Sequence, residues 1–181
     1  MTNDKIAKGV SKFLSYVLRH SPETINLRLD ENGWANVDEL IAKSNNGHGQ
    51  IDFDLLDYVV QNNDKQRFTF NEDKTKIRAS QGHSIAVDLA LKPAEPLEYL
   101  YHGTVEKSLA KIKEQGLQKM SRQHVHLSAD VETAIKVGGR RGVPILLTIR
   151  SGEMFRAGYS FYLSANGVWL TDLVPVAYIE F

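Results

Sequence analysis

The sequence predicts an α+β protein built as two lobes, and three observations carry that prediction. From the N-terminus to about residue 62, apolar residues recur with the helical period of about 3.6. Just beyond, "QRFTF" and "KIRASQ" alternate with a period of two around the polar turn "NEDKT". After the proline-bearing stretch "LALKPAEPLE", short strand-like runs and helical runs interleave to the C-terminus. The boundaries expected from these shifts are residues 1–90 for the first lobe and 97–181 for the second.

The elements follow in order. Ile6, Val10, Phe13, Leu14, Val17 and Leu18 fall on one helical face, so a helix is expected from about Asp4 to Arg19. Ser21-Pro22 stops it, because the residue before proline is pushed out of helical geometry. In "NVDELIAK", Asn36 is a helix cap and Glu39, three residues on, completes a capping-box pattern. "DFDLLDYVVQNN" predicts a third helix with Phe53, Leu56, Val59 and Val60 inward and acids in its first turn. "QRFTF" and "KIRASQ" then form a β-hairpin. Three helices followed by a hairpin is the order of a winged-helix domain.

Pro93 and Pro96 mark the linker. "EYLYHGT" reads as a strand, "VEKSLAKIKEQGL" as a helix stopped by Gly116, and "HVHLS" as a short strand. "ADVETAIKVGG" is a further helix and "VPILLTI" a buried strand. "YSFYLSANGVWLT" predicts two strands around an Asn-Gly turn, and "VAYIEF" a closing strand.

Composition narrows the function. The 181 residues are 42% hydrophobic and 24% charged, as in an ordinary globular protein. No apolar run reaches the roughly 18–20 residues that span a bilayer, and "MTNDKIAKGVSKF" lacks the core of a signal peptide. Without cysteine there is neither disulfide nor thiolate zinc site, and a cytoplasmic location is expected. Lys and Arg number 22 against 22 Asp and Glu. Residues 1–90 hold 11 basic and 13 acidic residues and residues 91–181 hold 11 and 9, giving −2 and +2. Neither half carries the basic excess needed to grip long nucleic acid through counterion release. Contact with nucleic acid is therefore expected to be local, a few cations around one or two phosphates.

Four cationic or titratable side chains stand out: Arg19 and His20 at the end of the first helix, Arg67 at the start of the hairpin, and Arg122 in "MSRQHVHLS". Each alone has an ordinary explanation. A cation in a last helical turn gains about 0.3–1 kcal/mol from the helix dipole, and the others suit a strand edge and a loop. Histidines form a second group. His124 and His126 alternate onto one face of a strand, where inward-facing rings need partners or a ligand. Lacking carboxylates at ligand spacing, they do not make an expected zinc site. In "YHGT", Gly103 lets a ligand approach the backbone, and His102 and Thr104 offer hydrogen bonds. "QGHS" is a similar polar turn. "GGRRG", residues 138–142, has glycines but not the context of a phosphate loop, and no Gly-x-Ser-x-Gly elbow occurs.

Together "SKFLSYVLRH", "LDENGWANVDELI", "NDKQRF", "QGHSI", "YHGT", "MSRQHVHLS" and "NGVWLTDLVPVAYI" resemble the RNA 2′-phosphotransferase family in order and over most of the chain. The resemblance implies a winged-helix lobe for RNA and an ADP-ribosyltransferase-like mixed α/β lobe for NAD. It implies that an internal 2′-phosphate left by tRNA splicing is transferred to NAD through a 2′-phospho-ADP-ribosylated RNA. The products implied are 2′-hydroxyl RNA, nicotinamide and ADP-ribose 1″,2″-cyclic phosphate. Arg19, His20, Arg67 and Arg122 match the family's catalytic Arg-His-Arg-Arg set. His102, Gly103, Thr104, His126 and Ser128 match its NAD pattern. Contacts to RNA phosphate are expected from Arg19, His20, Lys65, Arg67, His83 and Ser84. No role follows for His124, Arg140 or Arg141. The chemistry requires no metal, and a monomer is expected.

Clustered guanidinium groups suit a phosphate monoester through short bidentate hydrogen bonds. The phosphate nucleophile is already anionic, so it needs positioning more than a general base. ADP-ribosyltransferases that modify proteins use a late glutamate to activate the acceptor, whereas "NGVWLT" has no acid before Asp172. Two other readings compete. One is an ADP-ribosyltransferase acting on nucleic-acid phosphate ends or on protein, and the other a winged-helix regulator that senses NAD.

Overall fold

The computed structural model describes residues 3–45, 50–63 and 65–181. The chain divides into two units, Met1–Ala90 and Leu91–Phe181. Asp64, in the "NDKQRF" stretch, lies outside the described residues.

In the first unit, helix α1 (Asn3–Arg19) buries Leu14, Val17 and Leu18 completely. Its earlier apolar residues do less. Val10 and Phe13 pack at the core's edge and Ile6 is 39% exposed, so the buried stripe covers only the C-terminal turns. The amides of His20 and Ser21 both reach the Tyr16 carbonyl, closing the helix, and Pro22 opens a 3-10 turn, Pro22–Ile25. Strand β1 (Ala35–Asn36) leads directly into α2 (Val37–Ser44). Asn36 caps α2 by accepting from the Glu39 amide. The expected capping box is only half made, because the Glu39 carboxylate turns to Lys43 and the Arg28 amide. Those bonds, the one to Lys43 first, hold the Glu39 carboxyl below its usual range.

Helix α3 (Phe53–Gln61) is capped by Asp52 and buries Leu56 and Val59. Phe53, expected inside, is 40% exposed. At the first helical position it lies against the hairpin instead, its ring 6.1 Å from that of Phe70 with the Lys74 ammonium 6.0 Å away. Strands β2 (Phe68–Phe70) and β3 (Lys76–Ala79) form that hairpin. The two-residue β1, unmarked in the sequence, pairs with β3 to give an antiparallel sheet of order β1-β3-β2. Phe68, Ile77 and Ala79 turn inward to meet Leu14, Leu18, Leu40 and Leu56, by the period-two alternation of a half-buried sheet.

The second unit contains β4 (Leu100–Val105), α4 (Glu106–Gln115), β5 (Leu117–Gln118) and β6 (Val125–Leu127). Then come α5 (Val131–Gly138), β7 (Pro144–Ile149), α6 (Ser151–Arg156), β8 (Phe161–Leu163), β9 (Trp169–Thr171), β10 (Leu173–Val174) and β11 (Ile179–Glu180). All strand pairs are antiparallel, in sheets ordered β11-β7-β4, β6-β9-β8 and β10-β5. A two-way backbone bridge between Tyr101 and Ser128 couples β4 to the end of β6. Leu100, Leu127, Leu147, Ile149, Met154 and Phe161 form the shared core.

Three segments depart from expectation. The β8–β9 turn is longer than a two-residue Asn-Gly turn: Ser164 and Val168 close it, and only Gly167 has positive φ, at 76°. "VAYIEF" is a 3-10 turn at Val176–Tyr178 before β11, because Pro175 sets helical entry. In β7 only Leu147 and Ile149 are fully buried, so the strand is half-buried.

Candidate active site

The end of α1, the entry to β2 and the loop after β3 meet in the first unit. Arg19 Nη2 donates to the Arg67 carbonyl across 3.3 Å, and the Arg19 guanidinium lies 6.0 Å from the Phe68 ring centre. The same Arg67 carbonyl accepts the Ser80 amide at 2.8 Å, which fastens the loop to the hairpin. Arg67 Nη1 donates to Asn63 Oδ1 at 3.0 Å, and that oxygen also accepts the Lys65 amide. Asn63 Nδ2 donates in turn to Ser11 Oγ on α1. Asn63 opens the stretch "NDKQRF" but had no expected role of its own, although its place four residues before Arg67 is the available signal. The backbone at Lys65 is thus drawn to the Arg67 anchor.

Ser84 holds the end of α1 at two points. Its amide donates to the Arg19 carbonyl at 3.0 Å, satisfying one of the orphan acceptors of the helix terminus. Its hydroxyl lies 2.9 Å from His20 Nδ1. Ser84, expected as a phosphate ligand, therefore has a bonded role to His20.

His83 differs from expectation. It is 1% exposed, and a ring so enclosed has no free edge to offer an RNA phosphate. Neither of its nitrogens has a hydrogen-bond partner among the described residues. Burial, then the charges of Arg19, His20 and Arg78, push its pKa down to about 4, so the ring is neutral at pH 7. Arg78 itself stacks on Trp34 at 4.4 Å and donates to the Asn32 carbonyl. Arg19, His20 and Arg67 are thus brought together, with a buried neutral imidazole among the cations.

In the second unit, His102 Nδ1 lies 3.0 Å from the His126 carbonyl, and His126 Nδ1 lies 3.0 Å from the His124 carbonyl. A carbonyl only accepts, so both Nδ1 atoms carry hydrogen, and in the neutral form of each ring Nε2 is the accepting nitrogen. The face of β6 that turns inward is Val125 and Leu127, not the histidines. His124 precedes β6 and packs its ring 5.7 Å from Tyr162. Burial lowers its pKa, with Asp172 opposing and Lys119 assisting.

Gly103 has a use that the sequence did not disclose. A Cβ there would lie 1.9 Å from the Ala134 carbonyl oxygen and 2.9 Å from the Gly138 amide nitrogen. On that side the close approach is made by α5, so the space read as room for a ligand is filled by helix backbone. Thr104 is 8% exposed, and Ser128 is fixed through its backbone to Tyr101. Arg122 is exposed in the turn after β5, its amide bonded to the Lys119 carbonyl. Among the described residues no group of three His, Asp or Glu could hold a metal ion, and no helix is long and apolar enough to cross a membrane.

The family model for RNA 2′-phosphotransferase, Tpt1 / KptA family, matches residues 5–173. The chain belongs to that family. Its activity is that of a transferase, an RNA 2′-phosphotransferase. Among its relatives, a Flavobacterium johnsoniae protein named "Probable RNA 2′-phosphotransferase" is 68% identical over 179 residues, covering 99% of this chain and 98% of its own. Proteins of the same name from Fusobacterium nucleatum and Rhodopirellula baltica are 56% and 53% identical, covering 95% and 100% of this chain and 97% and 99% of their own. The match spans both units, so the cation cluster and the histidine pair belong to a phosphotransferase.

Proposed function

We propose that this phosphotransferase moves an internal RNA 2′-phosphate onto NAD, holding RNA on a winged-helix first lobe and NAD on an ADP-ribosyltransferase-like second lobe. The observation that carries the reading is the joined cluster of Arg19, His20 and Arg67. A 2′-phosphate monoester bears up to two negative charges, and guanidinium groups already held in place meet it with little further ordering. On the same reading Arg122 supplies a fourth cation to the reaction, where charge on the transferred phosphoryl is stabilised electrostatically.

The residues present fit NAD. Ribose hydroxyls and the nicotinamide amide are hydrogen-bond donors, and the accepting Nε2 atoms of His102 and His126 suit them. Bound NAD supplies an anomeric carbon with nicotinamide as its leaving group. The protein's own part is to orient the phosphate and neutralise its charge. Strand β9 consists of Trp169, Leu170 and Thr171, all buried, with no carboxylate to activate an acceptor. An acceptor that brings its own negative charge needs none, and a carboxylate beside it would repel it. The expected products are nicotinamide, 2′-hydroxyl RNA and ADP-ribose 1″,2″-cyclic phosphate.

The test is incubation of the protein with a 2′-phosphorylated oligoribonucleotide, with and without radiolabelled NAD. Phosphate should leave the RNA only when NAD is present, and label should appear in a small phosphorylated product. Phosphate loss independent of NAD would overturn the reading. RNA that keeps its phosphate and acquires stable label would favour an ADP-ribosyltransferase instead.

A further inference from the structure

The histidine partners in this chain are not alike. His102 and His126 each give Nδ1–H to a carbonyl, which fixes the neutral tautomer with an accepting Nε2. His20 Nδ1 instead meets a hydroxyl, Ser84 Oγ, at 2.9 Å. A hydroxyl both donates and accepts, and its hydrogen rotates to suit. When the His20 ring is charged, Nδ1–H donates to Oγ. When the ring loses its Nδ1 proton to solvent, the Ser84 hydroxyl keeps its own hydrogen and turns to donate it to the bare Nδ1. In that arrangement the remaining ring hydrogen stays on Nε2, a neutral tautomer that a hydroxyl partner permits and a carbonyl partner forbids.

We propose that Ser84 is a positioning residue of the phosphotransfer reaction, whose hydroxyl fixes the His20 ring and keeps Nε2 a hydrogen-bond donor in both charge states. This rests on the reading of His20 as a ligand of the phosphoryl group. Ionised phosphoryl oxygens accept hydrogen bonds, so an accepting Nε2 facing them is repelled. A carbonyl in place of the Ser84 hydroxyl would convert His20 into such a group each time the ring became neutral. Ser84 is itself fixed, because its amide is bonded to the Arg19 carbonyl at 3.0 Å. One residue therefore ties the backbone of the helix end to the orientation of the next side chain. Because both His20 and Ser84 are exposed, removing one hydroxyl leaves the core untouched.

The test uses the full chain with 15N-labelled histidine, assigning His20 by comparison with His20→Gln. Long-range proton–nitrogen correlation spectra above the His20 titration should show a protonated Nε2 and a bare Nδ1 in the wild type. In Ser84→Ala they should show an averaged mixture of tautomers. In parallel, loss of 2′-phosphate in single turnovers should fall by about 10–100-fold in Ser84→Ala on the alkaline side. It should fall much less on the acid side, where both ring nitrogens are protonated with or without a partner. Ser84→Thr should restore both the spectrum and the rate. A neutral His20 carrying its proton on Nδ1 would overturn the proposal, as would a Ser84→Ala loss of equal size at every pH. A His20→Ala variant with full activity would defeat the reading of His20 as a phosphoryl ligand instead, and the wild-type tautomer would still be read independently.

Discussion

Arg19 Nη2 donates to the backbone carbonyl of Arg67 across 3.3 Å, so the two arginines proposed above to serve one anion are fastened to each other before it arrives. On that proposal Arg19 uses one donor on the protein and others on the phosphate, which a guanidinium fork can do and an ammonium cannot do in the same geometry. Arg19→Ala and Arg67→Ala should each lower the single-turnover rate by about 10²–10³-fold. Arg19→Lys should recover little of it, with an unchanged circular dichroism spectrum. A lysine variant as fast as wild type would show that charge alone suffices.

Asn63 should matter through Arg67. Its Oδ1 is the acceptor that holds Arg67 Nη1 at 3.0 Å, and its Nδ2 is anchored to Ser11. Asn63→Ala frees the guanidinium to sample other rotamers, so affinity for 2′-phosphorylated RNA should fall by about tenfold, the weight of one hydrogen bond to a charged group. Adding Asn63→Ala to Arg67→Ala should cost almost nothing more, because the two act as one unit. Full additivity in that double-mutant cycle would separate them.

Much of this was legible in the sequence, and the misses have physical causes. The helices α1, α2 and α3 were readable because caps and breakers are local: Asn36, Asp52 and Pro22 act within four residues of themselves. β1, β5 and β10 were not, since two-residue strands owe their existence to partners far along the chain. The same distinction runs through the site. Arg19, His20 and Arg67 were recognisable by motif, whereas the tie between Ser84 and His20 spans 64 positions and leaves no periodic trace. Likewise His83 looked like a polar loop residue because burial is a property of the folded neighbourhood, not of "QGHS".

Gly103 provides a direct test of packing against ligand access. In Gly103→Ala the new methyl would sit 1.9 Å from the Ala134 carbonyl oxygen, and backbone cannot step aside as a flexible side chain can. The variant should lose about 1–3 kcal/mol of stability or more, seen as a lower urea midpoint without any NAD present. Gly9→Ala is the contrasting case. Nothing lies within 4 Å of its added Cβ, and it stands inside α1, so alanine should stabilise by about 0.5–1 kcal/mol. If Gly103→Ala kept wild-type stability and lost only NAD binding, the glycine would serve the ligand and not the helix.

His83 should make the first unit sensitive to mild acid. Its pKa is about 4 when folded against 6.5 for an ordinary histidine, because burial and the charges of Arg19, His20 and Arg78 all disfavour its protonation. A depressed pKa means that the unfolded chain binds a proton the folded chain refuses, so stability falls as pH drops from about 6.5 towards about 4 and levels below that. Between pH 7 and pH 5 the loss should be about 2 kcal/mol. The carboxyls held low by their partners, such as Asp30 and Asp57, lose their contribution at lower pH and are common to any variant compared. His83→Phe isolates the effect. Neither ring nitrogen of His83 has a partner among the described residues, so an apolar ring of similar shape should be as stable at pH 7 or more so. At pH 5 it should retain most of the stability that the wild type loses. Urea unfolding followed through tryptophan fluorescence at the two pH values reads the difference, and equal pH dependence in both proteins would mean that His83 titrates in the folded chain as it does in the unfolded one.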